Sequence, residues 1–165
     1  MDAIFDPSSN SAFLKNFLHL LLFFSMPSLA LAQDVTGLWR SYKEETGEPR
    51  AHVRMYVEEG KLYGQVVRSL QPETESSAIC TECPKEPPFA NYRDSMIGLV
   101  FIQGLQKNDD GRWVGDDALL DPDNGKTYDA KIWVPEDHPD QLKVRGFVGI
   151  FYRTQTWDRV EETSE

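Results

Sequence analysis

The stretch from Leu142 to Val160, Leu-Lys-Val-Arg-Gly-Phe-Val-Gly-Ile-Phe-Tyr-Arg-Thr-Gln-Thr-Trp-Asp-Arg-Val, constrains the fold more than any other part of the chain. Leu142, Val144, Gly146 and Val148 alternate with Lys143 and Arg145, the run is rich in β-branched and aromatic residues, and Gly149 stands where a tight reversal is wanted. This predicts a two-stranded hairpin that ends the fold. A last strand left as an open edge invites aggregation, so it is expected to pair with another strand of the same sheet. Its natural partner is the first strand, which makes the expected structure all-β and closed.

The preceding chain supplies the other strands. Gln33 to Tyr42 opens with Gly37-Leu38-Trp39, Thr46-Gly47-Glu48-Pro49 turns, and Ala51 to Val57 sets Val53, Met55 and Val57 on one face against His52, Arg54 and Tyr56. Glu59-Gly60-Lys61 reverses into Leu62 to Leu70. The segment 71–95 then interrupts the meander with four prolines, both cysteines and no sustained period, far longer than the usual connection of about 4 to 6 residues. Met96 to Leu105 is nearly continuously apolar and is expected to be a strand buried on both faces. Arg112 to Leu120 returns, and Asp121-Pro122-Asp123-Asn124-Gly125 is a turn signal with positive φ expected at Asn124 and Gly125. Lys126 to Val134 alternates again, with Tyr128, Ala130, Ile132 and Val134 on one side. Eight short strands joined as sequential hairpins favour a single eight-stranded antiparallel up-and-down barrel over a sandwich. The interior of such a barrel is just wide enough to be filled by side chains or to hold one small ligand.

The first 32 residues stand apart. An apolar block from Phe17 to Phe24 is followed by Pro27 and the small-residue sequence Ala30-Leu31-Ala32, the pattern of a secretory signal peptide cleaved after Ala32. From Phe17 to Ala32 the block falls short of the roughly 20 residues that cross a bilayer, so the mature part is expected to have no transmembrane segment and to be periplasmic or secreted. Removing 32 residues from 165 leaves 133, enough for one domain spanning residues 33–165. The leader takes Asp2, Asp6 and Lys15 with it, so the mature part holds 25 acidic and 16 basic residues, a net charge of −9. That balance argues against nucleic acid and acidic membranes as partners, leaves room for a local basic patch, and is explained by solubility.

At Gly37-Leu38-Trp39 the chain resembles the lipocalins and their calycin relatives, which open the first strand with Gly-x-Trp and lay an arginine from the end of the barrel against that indole. If the last strand runs antiparallel to the first, Arg159 rather than Arg153 approaches Trp39. A closer resemblance covers nearly all of the mature chain. Gly37-Leu38-Trp39, Gly60-Lys61-Leu62-Tyr63-Gly64, Cys80-x-x-Cys83-Pro84, Asp121-Pro122 with Asn124-Gly125-Lys126-Thr127-Tyr128, Leu142-Lys143-Val144-Arg145-Gly146 and Arg153-Thr154-Gln155-Thr156-Trp157, in that order, are similar to the exported bacterial family DUF2147. The resemblance implies a small envelope protein with a lipocalin-like barrel, and no agreed activity.

Three chemistries are open to the remaining residues. Cys80 and Cys83, three apart in an oxidising compartment, are expected to form a local disulfide. The alternatives are a redox-active pair, which lacks the strand-to-helix setting that lowers a thiol pKa, and half of a metal site needing His52, His138 or Glu82. Catalysis finds little footing: no serine stands in a nucleophile motif, and Asp116-Asp117 and Asp121 with Asp123 are better read as turn caps than as paired carboxylates. No cofactor and no resident metal are expected. In the last strand Arg153, Gln155, Trp157 and Arg159 share one face. Turned inward with Trp39, they give a lumen with a guanidinium and an amide beside an indole, walled by Val53, Met55, Leu99, Phe101, Tyr128 and Ile132. Gly37 and Arg159 are then structural. Such a lumen suits a small apolar or amphipathic anionic ligand. The competing reading is a non-catalytic interaction or structural module of the envelope, whose acidic rim and Cys-bearing loop meet a protein partner.

Overall fold

The computed structural model describes residues 34–72, 82–86 and 96–161, and all that follows concerns these. The expected leader and Cys80 lie outside them. Eight strands follow one another: β1 (Gly37–Tyr42), β2 (Pro49–Glu58), β3 (Lys61–Ser69), β4 (Val100–Lys107), β5 (Trp113–Leu120), β6 (Thr127–Trp133), β7 (Gln141–Val148) and β8 (Phe151–Val160). Each pairs antiparallel with its successor, and β8 returns to β1, so the sheet closes into a barrel. Trp39 stands opposite Arg159 across the closing seam, with Leu38 opposite Val160 and Arg40 opposite Asp158. No helix among the described residues is long and apolar enough to cross a membrane.

The two-residue period of the strands sends alternate side chains to the interior. Val53 and Met55 of β2, Leu62 and Val66 of β3, Ala130 and Ile132 of β6, and Leu142 and Val144 of β7 are all buried. Val57, expected on the same inner face as Val53 and Met55, is instead 43% exposed, because it sits at the end of β2 where the barrel wall stops. Large side chains pack so closely in one half of the barrel that one inward position must be glycine. A Cβ at Gly64 would stand 2.8 Å from Met55 Sδ and 2.9 Å from Ile102 Cδ1.

Three local features differ from the sequence expectation. The strand expected from Met96 begins at Val100, after a bend held by Gly98 N–H donating to the Val66 carbonyl (2.7 Å). The β3–β4 register then slips, pairing Gly64 with Ile102 and Gln65 with Val100, so that Phe101 has no opposite number and both Phe101 and Ile102 are buried. The β5–β6 connection is not a two-residue Asn-Gly turn: Leu120 pairs with Thr127, and among the six residues between them only Gly125 has positive φ (69°). Asp121 organises that loop by accepting from the Asp123 N–H (2.9 Å) and the Asn124 side-chain amide (2.8 Å). The final hairpin does turn in two residues. Val148 pairs with Phe151, and positive φ at Gly149 (58°) but not at Ile150 is the pattern of a type II′ turn.

Candidate functional site

The two ends of the barrel differ. At one end the chain enters β1, and the β2–β3, β4–β5 and β6–β7 connections cross. Here Trp39 is fully buried, and its Nε1 donates to the Val35 carbonyl (2.9 Å). The Arg159 guanidinium lies 4.1 Å from the centre of the Trp39 ring. It also donates to the carbonyls of Thr36 (3.0 Å), Asp34 (2.6 Å) and Pro139 (3.4 Å). A Cβ at Gly37 would come within 3.1 Å of Arg159 Nη1, so the glycine of Gly-x-Trp leaves room for the arginine that covers the tryptophan. This end is plugged.

The opposite end holds a cavity of about 1130 Å³, reached between the β1–β2, β5–β6 and β7–β8 connections. Its inner wall is apolar, formed by Val53, Val66, Phe101, Leu119, Val144 and Trp157. The rings of Phe101 and Trp157 lie 6.1 Å apart, tilted by 43°. Trp157 Nε1 donates to Gln155 Oε1 (3.0 Å), which fixes the amide on the wall and leaves its Nε2 free to donate. Nearer the opening stand Ser41, Asn124 and Tyr128, whose hydroxyl accepts from Asn124 Nδ2 (3.2 Å).

Two bidentate ion pairs span the rim. Arg153 of β8 binds Glu44 of the β1–β2 loop through Nε (2.8 Å) and Nη1 (2.9 Å). Arg50 of β2 binds Asp123 of the β5–β6 loop through Nη1 (2.8 Å) and Nη2 (2.7 Å). The fork geometry matches two nitrogens to two oxygens, the strongest form of this contact. It holds the Asp123 carboxyl below the ordinary carboxylate range and raises the Arg50 guanidinium. Both arginines and both carboxylates line the cavity.

Of the lumen residues expected from sequence, Val53, Phe101, Tyr128, Arg153, Gln155 and Trp157 lie together on this cavity. Trp39, Met55, Leu99 and Ile132 are buried but do not reach it; they fill the core. Arg159 rather than Arg153 covers Trp39, as the antiparallel closure requires. Sequence reasoning missed Arg50, Asp123 and Glu44, whose ion-pair partners lie 73 and 109 residues away along the chain. It also missed Val66, given only as part of the strand from Leu62 to Leu70, and Val144, given only as one of an alternating row with no face assigned to the lumen.

Cys83 is buried against the barrel. Its neighbour Glu82 lies on the β5–β6 loop so closely that a Cβ at Gly125 would stand 1.9 Å from the Glu82 carbonyl oxygen. His138 belongs to the β6–β7 connection at the plugged end and His52 to β2, and Cys80, the other half of the expected pair, lies outside the described residues. Among the described residues no three His, Cys, Asp or Glu side chains converge.

The barrel is similar in structure to HP1028 of Helicobacter pylori, described as belonging to the lipocalin family. The two chains are 19% identical over 78% of this chain and 84% of that one, with a TM-score of 0.61. No curated protein matches the chain. The family model described as an uncharacterized protein conserved in bacteria matches residues 37–159, from the Gly-x-Trp glycine to the arginine that covers the tryptophan, and the chain belongs to that family, DUF2147.

Proposed function

We propose that this is an exported, non-catalytic binding protein that holds one small apolar or amphipathic anionic molecule in the open half of its barrel. The observation that carries this reading is the cavity itself: about 1130 Å³, apolar at depth and polar at the rim. Ligand pockets of about 300–1,000 Å³ with apolar walls and a few placed polar groups are the usual setting for small-molecule binding. An apolar tail fits against Val53, Val66, Phe101, Val144 and Trp157, and the head lies level with Gln155. Arg153 and Arg50 are already forked onto carboxylates, so an anionic head exchanges with Glu44 or Asp123 for a guanidinium geometry that is already set. The Phe17 to Phe24 block and Ala30-Leu31-Ala32 support export, and mature protein from the envelope is expected to begin at Gln33.

Native mass spectrometry of protein purified from the envelope, followed by titration of the stripped protein with medium- and long-chain fatty acids, tests the reading. The expected result is a one-to-one adduct that Val144→Trp, which fills the cavity, weakens about tenfold or more. A clean protein mass together with no saturable binding of either apolar or anionic amphipathic probes overturns it.

A further inference from the structure

The turn that joins β7 to β8 breaks the pattern of the rest of the molecule. Val148, Ile150, Phe151 and Tyr152 are 61%, 89%, 73% and 60% exposed, a contiguous apolar group at the end of a hairpin. Scattered exposed apolar side chains need no explanation, but four within five residues at one tip mark a contact surface. Val148, Phe151 and Tyr152 also border the cavity mouth, so whatever covers the tip also faces the opening.

The charge around the tip is as unusual as its hydrophobicity. From Gln141 to Trp157 the chain carries Lys143, Arg145 and Arg153 and no acidic residue, in a protein of net charge −10. Arg153 is neutralised by Glu44. Lys143 lies further down β7, opposite Trp133, and does not belong to the tip. Arg145 does, and it hydrogen-bonds to a neutral group, Thr154, so no carboxylate among the described residues pairs with it. Arg145 also lies 4.1 Å from the Tyr152 ring centre, so a cation sits directly behind the aromatic part of the tip. Aromatic and aliphatic side chains at a tip, backed by a cation, match a surface with an apolar interior beneath an anionic layer.

We propose that the β7–β8 tip docks on an anionic lipid bilayer and so holds the cavity mouth against the membrane surface. The proposal does not rest on the lumen reading, because the tip is formed whether or not the cavity is occupied. At the mouth Glu44 and Asp123 are paired with Arg153 and Arg50, while Glu45 and Asp121 oppose an anionic surface, so the apolar tip and Arg145 rather than net charge set the orientation with the hairpin foremost.

Flotation of the mature protein with vesicles of phosphatidylcholine mixed with phosphatidylglycerol, compared with phosphatidylcholine alone, tests this. Binding to the mixed vesicles is expected, weakening as salt rises, and reduced about tenfold or more by Ile150→Asp and several-fold by Arg145→Gln. Ile150 is almost wholly exposed in the turn, so its variant is expected to keep the circular dichroism of the parent. Val144→Trp separates the two readings: it weakens fatty-acid binding about tenfold or more and leaves flotation unchanged. No flotation of the folded parent, flotation indifferent to Ile150→Asp, or a dimer in sedimentation that Ile150→Asp dissolves would each overturn membrane docking.

Discussion

Arg159 meets two requirements that an apolar side chain cannot meet together. It covers the Trp39 ring, and it supplies donors to three backbone carbonyls of segments that enter and leave the plugged end. Hydrogen bonds to a charged donor contribute roughly 1.5–3 kcal/mol, less where the contact is open to solvent, as it is at Asp34 and Pro139. Arg159→Ala is therefore expected to lower stability by about 2–3 kcal/mol, and Arg159→Lys, which keeps charge but loses the planar fork, by about half as much, in urea unfolding. This residue was legible in the sequence, because antiparallel closure alone puts the end of the last strand beside the start of the first. His52 was not: alternation placed it on the outer face without telling that Arg40 and Arg68 stand opposite it on both neighbouring strands. Its Nε2 is buried and finds no hydrogen-bond partner among the described residues. Burial first, then the two arginines, hold its pKa below the ordinary histidine value. The unfolded chain thus takes up a proton near pH 6.5 that the folded chain refuses until lower pH, so His52 subtracts stability as pH falls through that window. His52→Gln should flatten the fall in urea midpoint between about pH 7.5 and 5.5; an unchanged slope would assign that fall to other groups.

At the level of elements, the β5–β6 loop shows why a strong local signal misled. Asn124-Gly125 invites a two-residue turn, but Asp121 ties the backbone of Asp123 and the side chain of Asn124 into a wider loop, against which Glu82 lies. No local pattern reports a contact made by a segment some forty residues earlier in the chain. Gly125 serves both demands, a left-handed φ and a surface flat enough for the Glu82 backbone. Gly125→Ala is expected to lift the 82–86 segment off the loop. Limited proteolysis should then cut that segment several-fold faster while the barrel unfolds at nearly the parental midpoint. The strands themselves were legible because period and turn chemistry agree along most of them. β4 was the exception, since a run apolar on both faces gives no phase from which the slip at Phe101 could be read.

For the whole molecule, closure and capacity are separate matters. Eight strands set an interior that side chains can fill or leave hollow, and this chain does both, with the Trp39 half packed and the Trp157 half hollow. The division was not legible, because inward positions of both halves carry the same apolar residue types. The rim ion pairs were equally hidden, since their partners are neighbours only after the ring closes. The ladders are uneven: eight residue pairs join β2 to β3 and eight join β7 to β8, but three join β1 to β8. Amides at this seam, Leu38, Arg40, Asp158 and Val160, are expected to exchange with solvent faster than those of β2 and β3, measurable by native-state hydrogen exchange.

Above Arg40 and Asp158 no ladder pair joins β1 to β8, although Arg153 and Glu44 reach across near the rim and the Tyr42 hydroxyl donates to Asp158 lower down. The barrel is in this respect a split ring clasped by side chains. A ring of that kind has its slack where the weave is missing, so a change of girth in this frame is taken up at the clasped gap and spares the ladders on either side.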